Sequence, residues 1–176
     1  MQLIISARDQ VLARYGNALA ALGEGQASTA LSRALNHEGN KGRTQVKRAR
    51  VKQTGIKYGA VEKATATIRA TPATLTYKLM ARGDESNIAW FGGVQRRKGV
   101  SAAPWNRRRI FAHAFIVPRI GRAFIRTSKS RLPIRPLYGP NLARELVKDN
   151  SAAAWQSGVV NIVARVGHEI GRMLRP

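Results

Sequence analysis

Near the end of the chain Trp155, Val159, Ile162, Val163, Val166, Ile170 and Met173 fall at offsets 0, 4, 7, 8, 11, 15 and 18. That is the repeat of a helix with one apolar face, and it predicts a C-terminal helix over 151–174. Roughly 20 residues at 1.5 Å each reach about 30 Å, so a stripe of this length demands an apolar layer to lie against. The middle of the chain supplies one. Between residues 65 and 82 the pattern changes to alternation, with Ile68, Ala70, Leu75, Tyr77 and Leu79 set among Arg69, Thr74, Thr76 and Lys78. Alternation is the mark of a half-buried strand, and Pro72 between the two runs predicts a hairpin or a bulged pair. Further short strands are expected at 88–91, 110–117 and 122–126, divided by Gly92-Gly93, Pro118 and Gly121.

Helical spacing also opens the chain. Val11, Leu12, Tyr15, Leu19 and Leu22 form a first amphipathic helix that stops at Gly23, with Arg8 and Arg14 on its other face. From Gln26 to Gln53 the apolar positions Ala27, Ala30, Leu31, Ala34, Leu35, Val46 and Ala49 predict one long helix, bent or briefly broken where Gly39 and Gly42 interrupt it. The expected architecture is a single α+β domain over 1–176: helices over 8–53, a small mainly antiparallel sheet over 65–127, a Pro-rich segment over 132–140, and the C-terminal helix packed on the sheet. With 176 residues, 44% of them hydrophobic, a core needs no disulfide or metal.

The charge is lopsided: 31 Lys and Arg face 9 Asp and Glu, for a net +22. Residues 86–144 hold thirteen cations and no acid: Arg96, Arg97, Lys98, Arg107, Arg108, Arg109, Arg119, Arg122, Arg126, Lys129, Arg131, Arg135 and Arg144. A second all-positive block, 39–61, holds Lys41, Arg43, Lys47, Arg48, Arg50, Lys52 and Lys57. Such blocks do not neutralise themselves, so they face water or an external anion. Arginine outnumbers lysine in the first block, which suits bidentate pairing to carboxylate or phosphate.

Catalysis finds no constellation. His37, His113 and His168 lie on three separate predicted elements, and the nearest carboxylate pairs, Asp84-Glu85 and Glu145 with Asp149, read as a turn and a helix face. There is no phosphate-binding glycine loop, no HExxH and no cysteine, so no catalytic, metal-binding or cofactor-binding residue is nominated and the chain is read as a non-enzyme. No apolar run approaches the roughly 20 residues of a membrane span, and the short apolar start before Arg8 and Asp9 is no signal-peptide core; a cytosol-like compartment and no membrane partner are expected. Two classes remain. One is a non-specific nucleic-acid binder, in which cations track phosphates while Tyr58, Tyr77, Trp90, Phe91 and Trp105 stack on bases. The other is an assembly protein whose basic faces meet acidic faces of neighbours, with tryptophan and arginine at interface centres.

Several segments in order resemble the prophage minor tail protein Z family of long-tailed phages: SRALNHEGNKGRTQVKRARVKQTGI (32–56), YKLMARG (77–83), IAWFGGVQRRKGVSAAPWNRRRIFAHAFIV (88–117) and RLPIRPLYGPNLARELV (131–147). The resemblance implies a structural virion component of the tail or neck, assembled in the host cytoplasm, that acts in tail completion and head–tail joining. It implies a homo-oligomeric ring, sixfold by analogy with tail-end rings, placed between the tail terminator or tail tube protein and a head-completion or connector protein. DNA in the central channel is a further possible partner. On this reading Trp90, Phe91, Arg96, Arg97, Lys98, Trp105, Arg107, Arg108, Arg109, Arg135 and Tyr138 are interface candidates. Lys47, Arg48, Arg50, Lys52, Arg122 and Arg126 are candidates for contact with DNA or an acidic partner. Trp105 is either an interface anchor or ordinary core, and 132–140 is either an arm laid on a neighbour or a turn of the chain toward the last helix.

Overall fold

A computed structural model describes residues 1–6 and 9–174, so Arg8, where the first helix was expected to begin, lies outside the described residues. The elements are β1 (Gln2–Ile5), α1 (Asp9–Leu22), α2 (Glu24–Thr54), α3 (Tyr58–Lys63), β2 (Thr65–Ile68), β3 (Tyr77–Ala81), β4 (Glu85–Asn87), β5 (Val94–Arg96), β6 (Gly99–Ala102), β7 (Arg109–Ala112), β8 (Ala114–Val117), β9 (Arg122–Arg126), β10 (Ile134–Pro136), β11 (Tyr138–Asn141), α4 (Asp149–Val159) and α5 (Ile162–Met173). The class is α+β. The strands form small antiparallel sheets ordered β1-β3-β2, β5-β6-β7 and β10-β9-β8, with β11 paired to β4.

Helix α2 organises the molecule. Its 31 residues span about 46 Å at 1.5 Å per residue, and it ends on Gly55, whose left-handed backbone (φ 76°) lets its N–H close on Val51 O at 2.9 Å. The helix runs unbroken through Gly39 and Gly42. Both glycines are contact points: a Cβ on Gly39 would stand 2.6 Å from the Tyr77 ring, and one on Gly158 of α4 would stand 2.6 Å from the Gly42 Cα. Glycine here trades helix propensity for close approach of a sheet on one side and a helix on the other.

The C-terminal stripe is helical, and each of its seven residues is buried or half-buried. Its axis breaks at Val160 and Asn161, both poor helix formers. The break lets one stripe serve two cores. Trp155 on α4 joins Leu35, Val46, Tyr77 and Leu79 under the β1-β3-β2 sheet, while Val166 and Ile170 on α5 join Val11, Leu19 and Ala34. The chief partner of both helices is α2; α4 reaches the sheet through Trp155, stacked on Tyr77 with centroids 6.2 Å apart.

The strand half departs from the alternation reading in three places. Ile68 pairs opposite Lys78 and is 49% exposed, so Thr65 and Thr67 face inward instead. Residues 88–90 form a 3₁₀ turn, because the Asn87 side chain accepts from Ala89 N and Ala123 N and donates to Ala123 O. The strand expected over 110–117 is two strands, split at His113 (φ 59°). Residues 132–140 are neither a free arm nor a plain turn, since β10 pairs with β9 and β11 with β4. A separate core of Ile88, Val100, Ala102, Ala114 and Ala123 fills this half. Ile56, Val61 and Phe91 join it to the end of α2.

Candidate interaction surface

The turn Pro104–Asn106 carries Trp105 and Asn106 at φ 53° and 56°, a left-handed pair that side chains adopt only when their surroundings hold them there. Asn106 Nδ2 donates to Lys52 O at 2.6 Å, and Trp105 Nε1 points to Glu145 Oε1 at 3.4 Å. Glu145 is itself buried and accepts from Gln53, whose own carbonyl accepts from Ser151 N and Oγ. A chain of polar contacts from α4 through Gln53 of α2 to Glu145 thus holds the indole, which stays 39% exposed. Around it lies a hollow of about 550 Å³ lined by Lys52, Trp105, Arg107, Arg109 and Asp149, among others. The sequence separates these residues by up to 97 positions, and the fold gathers them.

Trp90 is a second exposed indole, 58% accessible, with the Arg122 guanidinium 5.9 Å from its ring. It borders an apolar pocket of about 360 Å³ formed with Ile56, Ala60, Phe91 and Leu142. Tyr138 on β11 is also exposed. Arg108 folds back toward Gly92 O and Ser101 Oγ at 3.4 and 3.3 Å, and Arg109 covers the Phe111 ring at 4.7 Å. Arg97 and Lys98 form the tip of the β5–β6 hairpin and share a groove of about 950 Å³ with Arg126 and Lys129. Arg96 and Arg135 are exposed but line neither the groove nor the hollows.

Three nominated residues are not surface residues. Phe91 is core, buried against Ile56 and Val61. Arg50 is wholly buried on the inner face of α2, donating to Thr65 Oγ1 at 2.8 Å and to Leu142 O, and burial pulls its pKa down to about 10 although Glu145 opposes the shift. Lys47 is buried too and pairs with Glu62 Oε1 at 2.8 Å; that hydrogen bond, and then the ammonium charge, hold the Glu62 carboxyl below its ordinary value. All three serve the fold. Arg48 and Lys52, on the other face of α2, remain accessible.

The sequence did not mark Asn106 or Gln95, and it offered Glu145 only as part of a helix face and His113 only as an isolated histidine; in the structure Glu145 and Asn106 fix Trp105, and Gln95 and His113 shape the groove. An Asn or Gln among basic residues carries no pattern, and a Glu read by its sequence neighbours misleads; only their distant partners give them meaning. Among the described residues no three of His, Asp and Glu gather where a metal ion would be held, and no helix is long and apolar enough to cross a membrane. Compared with known proteins, the chain matches no family model, no curated protein and no solved structure.

Proposed function

We propose that the chain is a non-catalytic structural subunit of a phage virion, working in tail completion and head–tail joining as one member of a ring at the head-proximal end of the tail. The observation that supports this most is Trp105: an indole held on a strained turn, half exposed, beside Arg107, Arg109 and Lys52. Rigid aromatic groups next to arginine are the residue types that dominate protein interfaces, because little side-chain entropy is lost when a partner covers them. Trp90 with Arg122 repeats the combination. Both lie within 88–126, and most of that span carries the resemblance to the minor tail protein Z family.

In this proposal a second copy of the chain covers one indole surface, and head-to-tail contacts of that kind close into a ring when their rotation closes; six copies follow from the resemblance. The tail terminator or tube protein and the connector meet the remaining basic faces. The test is Trp105→Ala in an infectious particle. Because the indole is part exposed, the variant folds, by circular dichroism and melting, yet leaves heads and tails unjoined. Normal joining, or a chain that simply unfolds, overturns the interface role. Replacing Arg107, Arg108 and Arg109 together by Ser lowers incorporation into particles with the fold unchanged.

A second reading, a non-specific nucleic-acid binder, is favoured by the thirteen cations of 86–144, of which only Arg144 approaches an acid, Glu85 at 3.9 Å, among the described residues. Binding of the purified chain to duplex DNA with a steep salt dependence, together with its absence from particles, would select that reading.

A further inference from the structure

The open groove between the β5–β6 hairpin and strands β8–β9 has a cationic rim of Arg97, Lys98, Arg126 and Lys129 and a floor that includes Ala112, Ala114, Phe115 and Ile125. No carboxylate lines it. None of the four cations makes an ion pair among the described residues.

The rim is built rather than floppy. Gln95 clamps the hairpin to β8, its Nε2 donating to Gly99 O at 3.2 Å and its Oε1 accepting from Ile116 N at 2.9 Å. Glycine is the only residue type that fits at position 99, where the hairpin's turn closes, since a Cβ would lie 2.0 Å from Phe111 O. His113, at φ 59°, turns the chain between β7 and β8 and donates its N–H to Lys98 O at 3.3 Å. Two unusual backbone positions and one side-chain clamp therefore place Arg97 and Lys98 across from Arg126 and Lys129.

We infer that this groove binds one sugar–phosphate backbone of duplex DNA, without reading its sequence. Apolar side chains on the floor suit deoxyribose carbons, and rim cations suit phosphates. The Phe115 ring has Phe124 beside it at 6.3 Å and the Arg126 guanidinium at 5.6 Å, so two of its approaches are already shared with neighbours and an unpaired base has less of it to stack on. An acidic protein segment would need apolar anchors at its centre, and the exposed indoles, Trp90 and Trp105, lie outside the groove. The inference does not depend on the ring: it is read on the isolated chain, whereas head–tail joining is read on particles, so either can fail alone.

The experiment compares two quadruple variants of equal charge. One changes Arg97, Lys98, Arg126 and Lys129 to Ser; the other changes Arg33, Lys63, Arg69 and Arg82, all exposed and outside the groove, to Ser. Affinity for a random-sequence duplex is measured across a salt series. Each phosphate neutralised contributes about 0.9 to the slope of log K against log salt, so the groove variant's slope becomes shallower by roughly 3 to 4 units, with more than about tenfold lower affinity at physiological salt. The control stays within about threefold of the parent protein. Equal losses in the two variants, or no loss in the groove variant, overturn the inference. Displacement of the duplex by polyglutamate at matched charge, or by millimolar inorganic phosphate, overturns the assignment to a DNA backbone in favour of an acidic protein or a free anion.

Discussion

Arg50 and Arg108 are the same side chain in opposite circumstances. Arg50 lies in the helical half, fully buried, bonded to Thr65 and Leu142 and facing Glu145. In the same half Lys47 meets Glu62, Glu38 meets His37 and Lys41, and Glu169 meets Arg165 at 2.5 Å. Arg108 lies in the strand half, where residues 86–144 contain no acid, and it stays in water with two long contacts to Gly92 and Ser101. Burial of a charge is tolerated only with a partner and hydrogen bonds. Where acids are in reach, cations become part of the fold; where none are, they stay outside and are available to another molecule.

The contrast can be broken first where the helical half is most tightly built. In Gly158→Ala the new methyl meets the α2 backbone, which has no rotamer to give way. The helix-propensity gain of about 1 kcal/mol is outweighed by overpacking, so we expect a net loss of about 3 kcal/mol in urea denaturation. A variant as stable as the parent would mean that α4 slides along α2 at no cost.

Next in size, Arg50→Ala removes the partner of Leu142 O and leaves Glu145 less compensated, for a loss of about 2–3 kcal/mol. The triple Ser variant at 107, 108 and 109 stays within about 0.5 kcal/mol of the parent, as exposed sites do. Equal losses at the two sites would erase the distinction between structural and available arginines.

The smallest effect concerns pH. Glu62 has its folded pKa below the ordinary 4.5, held there by the Lys47 hydrogen bond. A depressed carboxylate contributes stability above its unfolded pKa and loses it as pH falls through the lower folded value. Glu62→Gln is therefore slightly less stable than the parent at neutral pH, and the two melting curves converge in acid. A gap unchanged from neutral pH down to well below 4.5 would show that the amide's fault is steric and not electrostatic.

Much of the helical half was legible. The stop at Gly23 and the stripe from Trp155 to Met173 both hold, because a helix packs one face and its repeat survives in the sequence. The strand half was less so. Strands of three to five residues carry too few alternations to fix parity, so Ile68 reads as buried and is not. Asn87 capping a turn and His113 at positive φ leave no trace in hydropathy. Of the nominated cations and aromatics most are exposed, but Lys47, Arg50 and Phe91 are buried, and in sequence they look just like Arg48, Lys52 and Trp90.

By itself the sequence determined the helical periodicities, the α+β class and the excess of positive charge with its acid-free stretch, because these are properties of order and composition along the chain. Which cations are struts and which line a groove was decided by tertiary structure alone. Arg50 finds Leu142 and Gln53 finds Glu145 across 92 positions each, and burial of a charge depends on that distant partner rather than on the neighbours in sequence.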